Sequence, residues 1–151
     1  MRGVSFRVLI TGSRSWDDIA YIRRVLASLG EQRRDEELVL VSGACPTGAD
    51  RLCEVVAAEL GWLLELHPAD WGTYGKRAGF LRNAEMVETE PDIVVGFVRN
   101  ASKGAAMTVN LAKKHGLPTI AHYWNDYPTT NYKIRRYNEV DSDDVQTDTL
   151  F

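Results

Sequence analysis

The feature that most constrains the fold is a regular alternation of short apolar runs with segments of helical periodicity. Three of the runs, at residues 6–11, 38–42 and 92–98, are nearly continuous in Val, Ile and Leu, which is typical of strands covered on both faces. Two further strands are predicted at residues 63–67 and 118–123. The alternation predicts a single α/β domain whose mostly parallel sheet has five strands or slightly more, with helices on both faces.

Four helices are predicted between these strands. Ser15, followed by Asp18 three residues later, indicates the start of the first helix, and Gly30 indicates its end. Gly61 ends the second helix in the same way. The helices comprise the apolar stripe of Ile19, Ile22, Val25, Leu26 and Leu29, the stripe of Leu52, Val55, Val56 and Leu60, and residues 76–88 and 104–115.

The chain divides into a body and a C-terminal extension. With 151 residues, 44% of them apolar, it can bury one ordinary core. We assign residues 1–123 to the domain and residues 124–151 to an extension, in which the periodicity fades and residues 132–137 either add an edge strand or trail off. Five acids and no base follow Arg136, so the extension ends in an acidic tail, which we expect to be solvated.

Charge and composition exclude several classes of function. Residues 1–138 carry 18 bases and 16 acids, and this near-neutral balance argues against broad nucleic-acid binding. Cys45 and Cys53 lie eight positions apart, a spacing that fits neither a CxxC redox pair nor a zinc site. With no signal peptide or long apolar run, we expect a cytoplasmic protein that has no membrane partner. The sequence contains no His/Cys cluster that would indicate a metal site and no GxSxG elbow that would indicate a nucleophilic serine.

Three loops follow strands of the predicted sheet and combine small residues with a hydroxyl or a base. They read TGSRSW, SGACPTGAD and VRNASKGAA. Ligands of such sheets bind beyond the carboxyl ends of the strands, where bare backbone N–H groups can approach an anion.

Cations in these loops favour a phosphate ligand. Arg14, Arg99 and Lys103 are predicted near helix N-termini, where a cation is unfavourable by roughly 0.3–1 kcal/mol unless a negative group compensates. For any one of them the alternative is a side chain that extends into solvent. The three together favour an anion.

Other residues leave two interpretations open. Asp50 either forms a capping box with Thr47 or accepts hydrogen bonds from ribose hydroxyls. Trp16, Trp71 and Tyr74 either stack on a base or pack over the core.

The stretches VLITGSRSWDD, VLVSGACPTGADRLCEVVAAELGW, HPADWGTYGKRAGFLRNAEMV and SKGAAMTVNLA together resemble the cpYpsA-related branch of the SLOG superfamily, named for the SMF/DprA and LOG proteins. The resemblance spans roughly residues 5–123. It implies a Rossmann-like domain, of a kind found in bacteria and their phages, that binds or processes nucleotides and nucleotide-derived signals. It also implies a homodimer, which the four tryptophans favour because they exceed what the core of such a domain needs.

The resemblance also implies a set of ligand-binding residues. Together with the residues singled out above, the set comprises Gly12, Ser13, Arg14, Ser42, Gly43, Gly48, Ala49, Asp50, Arg82, Asn83, Arg99, Ser102, Lys103 and Gly104.

One departure from the family bears on catalysis. LOG enzymes, which cleave the N-glycosidic bond of nucleoside monophosphates, carry a GGxGTxxE loop with a catalytic glutamate, preceded by a catalytic arginine. Here Arg82 matches the arginine, but Met107 and Thr108 stand where the acid should fall. We therefore expect binding or sensing of a nucleotide, with no resident cofactor.

Two alternatives remain open for the function. The first is a LOG-like phosphoribohydrolase that uses Asp50 or Asp70 in place of the missing acid, with Arg82 and Asp50 as catalytic candidates. The second is DprA-like binding of single-stranded DNA, against which the near-neutral body argues.

Overall fold

The computed structural model describes residues 4–126. The strands are β1 (Ser5–Gly12), β2 (Glu37–Ser42), β3 (Leu63–Leu66), β4 (Ile93–Arg99) and β5 (Thr119–Trp124). The helices are α1 (Ile19–Gln32), α2 (Ala49–Glu59), α3 (Trp71–Tyr74), α4 (Ala78–Glu88) and α5 (Lys103–Lys114), and a 3₁₀ turn, Gly75–Arg77, lies between α3 and α4.

The five strands form one parallel sheet in the order β3-β2-β1-β4-β5. The chain builds outward from β1 to β3 on one side, then crosses back to place β4 and β5 on the other side. This arrangement confirms the predicted α/β, Rossmann-like domain. It also places the reversal of strand order between β1 and β4, which is where sheets of this type open a crevice.

Apolar side chains cover both faces of the central strands. Val8 and Ile10 of β1 pack in a core with α1 and α2, whereas Leu9 packs on the other face with Met86 of α4 and Ala112 of α5. Successive side chains of a strand point to opposite faces, so a strand buried on both faces needs apolar residues at every position. This explains the continuous Val, Ile and Leu runs in the sequence.

The helix starts differ from those predicted. α1 begins at Ile19, and its N-cap is Asp18, whose carboxylate accepts a hydrogen bond from the backbone N–H of Tyr21 at 3.0 Å. Ser15 is therefore not the cap. α2 begins at Ala49 behind Gly48, without a side-chain cap, so of the two interpretations of Asp50 the capping box with Thr47 is not formed.

The predicted third helix is interrupted at its start. α3 ends at Tyr74, and the next residue, Gly75, has a left-handed φ of 56° and begins the 3₁₀ turn that precedes α4. A left-handed residue cannot continue a right-handed helix, so of the predicted residues 76–88 only 78–88 form a regular α-helix. β5 includes Trp124, one residue beyond the predicted boundary, and the edge strand predicted at 132–137 lies outside the described residues.

An aromatic cluster closes the α1 side of the sheet. Trp16 is buried, and its ring meets those of Tyr21, Phe97 and Trp124 at centroid distances of 5.3–5.6 Å. The packing interpretation is therefore correct for Trp16. Within residues 4–126, no helix is long and apolar enough to cross a membrane.

Candidate functional site

A cleft of about 950 Å³ opens at the carboxyl edge of the sheet. The loops that follow β1, β2 and β4 line it, together with the segment from Pro68 to Met86. Of the predicted ligand-binding residues, the following line the cleft: Gly12, Ser13, Arg14, Gly43, Asp50, Arg82, Asn83, Ser102 and Gly104. Its position matches the reversal of strand order.

The loop after β1 is fixed to its neighbours through Ser13. The Ser13 N–H donates to the carbonyl of Phe97 at 2.9 Å, and its Oγ accepts the N–H of Arg99 at 2.8 Å. The Ser13 carbonyl accepts the N–H of Ala49, the first residue of α2, at 3.1 Å. Ser13 therefore joins the ends of β1 and β4 to the start of α2, and its hydroxyl is engaged within the protein.

Small residues allow this close approach. A Cβ at Gly12 would lie 2.3 Å from the Cβ of Ala49, and one at Gly48 would lie 2.4 Å from the Cα of Arg14. Gly48 also has a φ of 76°. Gly48 and Ala49 do not line the cleft, and their small size serves the packing of α2 against the end of β1.

Asp50 is a buried carboxylate that lines the cleft. Its Oδ2 accepts the backbone N–H of Cys45 at 3.2 Å. Burial raises the pKa of Asp50 from 3.8 to about 6, and the Cys45 hydrogen bond and the positive charge of Arg82 oppose part of that rise. Among the cleft-lining residues that the structure describes, Asp50 is the only acid.

Arg82, on α4, is held in place by backbone carbonyls. Its Nη1 donates to the carbonyls of Gly43 and His67, and its Nε donates to Oδ1 of Asn83 at 2.7 Å. A side chain at Gly43 would collide with the guanidinium, since an added Cβ would lie 2.6 Å from Cζ. In the part of the chain described, Nη2 makes no hydrogen bond, so it is available to a ligand. Burial lowers the pKa of Arg82.

Two of the predicted cations lie outside the cleft. The Arg99 guanidinium stacks on Trp124 at 3.8 Å from the ring centroid and pairs with Asp126 at 3.0 Å and Asp17 at 3.5 Å. Carboxylates of the protein itself therefore compensate the charge of Arg99. Lys103 is exposed at the first residue of α5 and does not line the cleft.

The start of α5 opens toward the cleft without a side-chain cap. Ser102 is the N-cap residue and makes no capping hydrogen bond, and Ser102, Gly104 and Ala105 line the cleft. The first N–H groups of a helix have no partners within the helix, so these groups are available to an acceptor. Met107 and Thr108 stand where the LOG enzymes carry their catalytic acid. Thr108 is buried, Met107 is exposed, and neither lines the cleft.

Residues of the α3 region complete the cleft, and of these the sequence indicated only Trp71, as a candidate base-stacking residue. Trp71, Lys76 and Phe80 line it, and the Arg14 guanidinium lies 5.9 Å from the centroid of the Trp71 ring. The glycines around Trp71 and Lys76 in WGTYGKRAG were the available signal, since this segment lacks a clear helical period. Asp70, considered above as a substitute for the missing acid, is the N-cap of α3: its Oδ1 accepts a hydrogen bond from the N–H of Thr73 at 3.0 Å.

Ser42 lies beneath the loop that follows β2 and does not line the cleft. Its side chain is fully buried and donates to Oε2 of Glu54 at 2.8 Å. Across residues 4–126, no three His, Cys, Asp or Glu side chains are grouped to hold a metal ion.

Comparison with known proteins identifies the family. Residues 6–74 match the family described as YspA, cpYpsA-related SLOG family. The Gene 61 protein of Mycobacterium phage D29 is 40% identical over 119 residues, which is 76% of this chain and 94% of the phage protein. The chain belongs to the YspA, cpYpsA-related SLOG family. No solved structure matches it.

Proposed function

We propose that this protein binds a nucleotide or a nucleotide derivative, of the nucleoside monophosphate, ADP-ribose or NAD type, at the carboxyl edge of its sheet. The observation that carries the proposal is the charge of the cleft: Arg14, Lys76 and Arg82 line it with one carboxylate, Asp50. An excess of cations beside uncapped helix N–H groups favours an anionic ligand such as a phosphate.

The phosphate is proposed to lie between the start of α5 and Arg82. Ser102 and Gly104 bring bare backbone to the cleft, and Nη2 of Arg82 has no other partner in the described residues. Because two carbonyls and Asn83 already orient the guanidinium, little side-chain entropy remains to be lost on binding.

The sugar and the base are assigned to the remaining parts of the cleft. The Asp50 carboxylate can accept hydrogen bonds from ribose hydroxyls, as acids do in other dinucleotide sites. Trp71 and Phe80 are both about half exposed at the cleft, where aromatic rings can stack on a base.

A ligand panel tests the proposal directly. AMP, ADP-ribose and NAD are compared by thermal shift with inorganic phosphate and a single-stranded dT oligonucleotide. A nucleotide at 100 times its Kd should stabilise the fold by about 2.7 kcal/mol. No shift with any nucleotide would contradict the proposal, and stabilisation by the oligonucleotide alone would favour DNA binding.

Two adjacent cations supply a matched pair of variants. Lys76 lines the cleft and Arg77, in the same 3₁₀ turn, does not. We expect Lys76→Ala to weaken AMP binding several-fold, corresponding to about 1 kcal/mol for an exposed charge pair, and Arg77→Ala to leave it within twofold. Calorimetry measures both, and equal losses would remove Lys76 from the site.

Glycosidic hydrolysis is a second candidate, favoured by the position of Asp50. A carboxyl group with a pKa of about 6 beside Arg82 is suited to proton transfer near neutral pH. Because the acid of the LOG enzymes is missing, we expect incubation with AMP to release no adenine above the no-enzyme control. General acid–base assistance contributes about 100- to 10,000-fold in rate, so turnover by the unmodified protein would be easy to detect. Adenine release that Asp50→Asn abolishes would establish hydrolysis by this protein.

A further inference from the structure

A buried hydrogen-bonded chain lies beneath the loop that joins β2 to α2. The Ser42 hydroxyl donates a hydrogen bond to Glu54 Oε2 at 2.8 Å, and Ser42 Oγ also accepts a hydrogen bond from the N–H of Ala44 at 3.2 Å. Ser42 is fully buried and Glu54 is 8% exposed. Glu54 does not line the cleft, so the proposed ligand contacts leave it without a role.

The position of Glu54 on α2 is costly for a carboxylate. A buried charge loses its hydration and is retained only where partners compensate. Its ion-pair partner, Arg51, is mostly exposed, and Nη1 of that residue lies 3.8 Å from Oε1. The close contact of Glu54 is therefore the one with the Ser42 hydroxyl.

The residue at the other end of this chain has a strained backbone. Ala44 has a φ of 59°, a left-handed conformation that is unfavourable for an alanine and persists where the surroundings hold it. The N–H of Ala44 donates a hydrogen bond to Ser42 Oγ. The next N–H along the chain, that of Cys45, donates a hydrogen bond to Oδ2 of Asp50. Two consecutive N–H groups of the loop thus depend on side chains of α2, one directly and one through Ser42.

We propose that Glu54 is a positioning residue of the nucleotide site, which holds the loop of Gly43, Ala44 and Cys45 in place through Ser42. A serine hydroxyl can donate only one hydrogen bond. When Ser42 donates it to Glu54, the lone pairs of Oγ face the N–H of Ala44. Without Glu54 the hydroxyl rotates, and the strained turn loses its fixed acceptor. The ligand half of this inference rests on the proposed function.

The test compares Glu54→Ala, Ser42→Ala and the double variant with Glu54→Gln, whose amide oxygen can accept the same hydrogen bond. Glu59→Ala, on the exposed face of α2, is the matched control. We expect Glu54→Ala and Ser42→Ala each to weaken AMP binding about tenfold, as loss of one hydrogen bond implies, and the double variant to lose no more than either. Glu54→Gln should stay within about twofold of the unmodified protein.

Hydrogen exchange of the Ala44 amide, followed by NMR without ligand, is the second readout. Exchange should accelerate in Glu54→Ala and Ser42→Ala, but not in Glu54→Gln or Glu59→Ala. Additive losses of AMP affinity, an unchanged Ala44 amide, or no difference between Glu54→Ala and Glu59→Ala would overturn the proposal. If Glu54→Ala does not fold, Ser42→Ala and Glu54→Gln carry the comparison.

Failure of the proposed function is separable from failure of this inference. If the unmodified protein binds neither AMP nor ADP-ribose, the proposed function fails and takes the ligand half with it. The Ala44 exchange rates still decide whether Glu54 holds the loop.

Discussion

At the scale of a residue, Asp50 combines a position in the cleft with a cost to stability. Its pKa is about 6 in the folded protein, against an ordinary value of 3.8. Between these values the folded state binds the proton more tightly than the unfolded chain does. Ionisation therefore favours unfolding, and the penalty grows from pH 3.8 to about pH 6 and stays constant above.

We expect Asp50→Asn to stabilise the protein at pH 7.5 by about 1–3 kcal/mol, because the amide keeps an acceptor for Cys45 and removes the buried charge. The gain should shrink as the pH falls from 6 toward 4. Urea unfolding of both proteins across this range measures it, with Asp35→Asn, at an exposed position, as the control. A gain of equal size at pH 4 would contradict the assignment of the raised pKa.

The sequence could place Asp50 near the start of a helix but could not decide its partner. A capping box and a ligand site both require an acid at that position, and the observed partner is the N–H of Cys45, across the turn that Gly48 makes. The partners of Arg99 could not be predicted for a related reason. Its acidic partners, Asp17 and Asp126, are 82 and 27 positions away in the chain, and only the fold brings them together.

At the scale of an element, the start of α2 depends on a close approach at Gly48. Gly48 and Gly61 both have a left-handed φ, of 76° and 80°, but only Gly48 lies against other backbone. We expect Gly61→Ala to cost about 1–2 kcal/mol through conformation alone. Gly48→Ala should cost a further 1–3 kcal/mol, roughly, because the methyl group meets Arg14.

Thermal or denaturant unfolding of these two variants measures the difference. Similar destabilisation by both substitutions would show that the Gly48 contact is relieved by a shift of the loop after β1.

Most elements could be predicted because their signals are local. Buried strands display continuous apolar runs, and the ends of the helices display glycines, such as Gly61 after α2. Gly30, by contrast, was predicted to end α1 but lies inside that helix, which continues to Gln32. The segment from Trp71 to Arg77 was also predicted less well. Its conformation depends on the left-handed Gly75 and on the capping of α3 by Asp70, which helical periodicity does not reveal.

At the scale of the whole molecule, the four tryptophans do not favour a homodimer. Trp16 and Trp62 are buried in the core and Trp124 packs against it, while Trp71 is exposed at the cleft. The homodimer stays a prediction, now supported by other apolar surface: Leu60, Leu63, Leu64 and Leu66 are 40–53% exposed. Light scattering at micromolar concentration should give a dimer mass, and a monomer mass would contradict it.

The strand order has a consequence for synthesis of the chain. Leu9 of the central strand pairs with Val41 of β2 on one side and with Val94 of β4 on the other. The stretch that matches the family, residues 6–74, contains β1, β2 and β3 and ends before β4. At about 5–20 residues per second, a ribosome makes β1 seconds before it makes β4, the strand that pairs with the second edge of β1. Until then the edge of β1 that pairs with β4 stays open, so we expect a fragment that ends at residue 74 to aggregate through this edge.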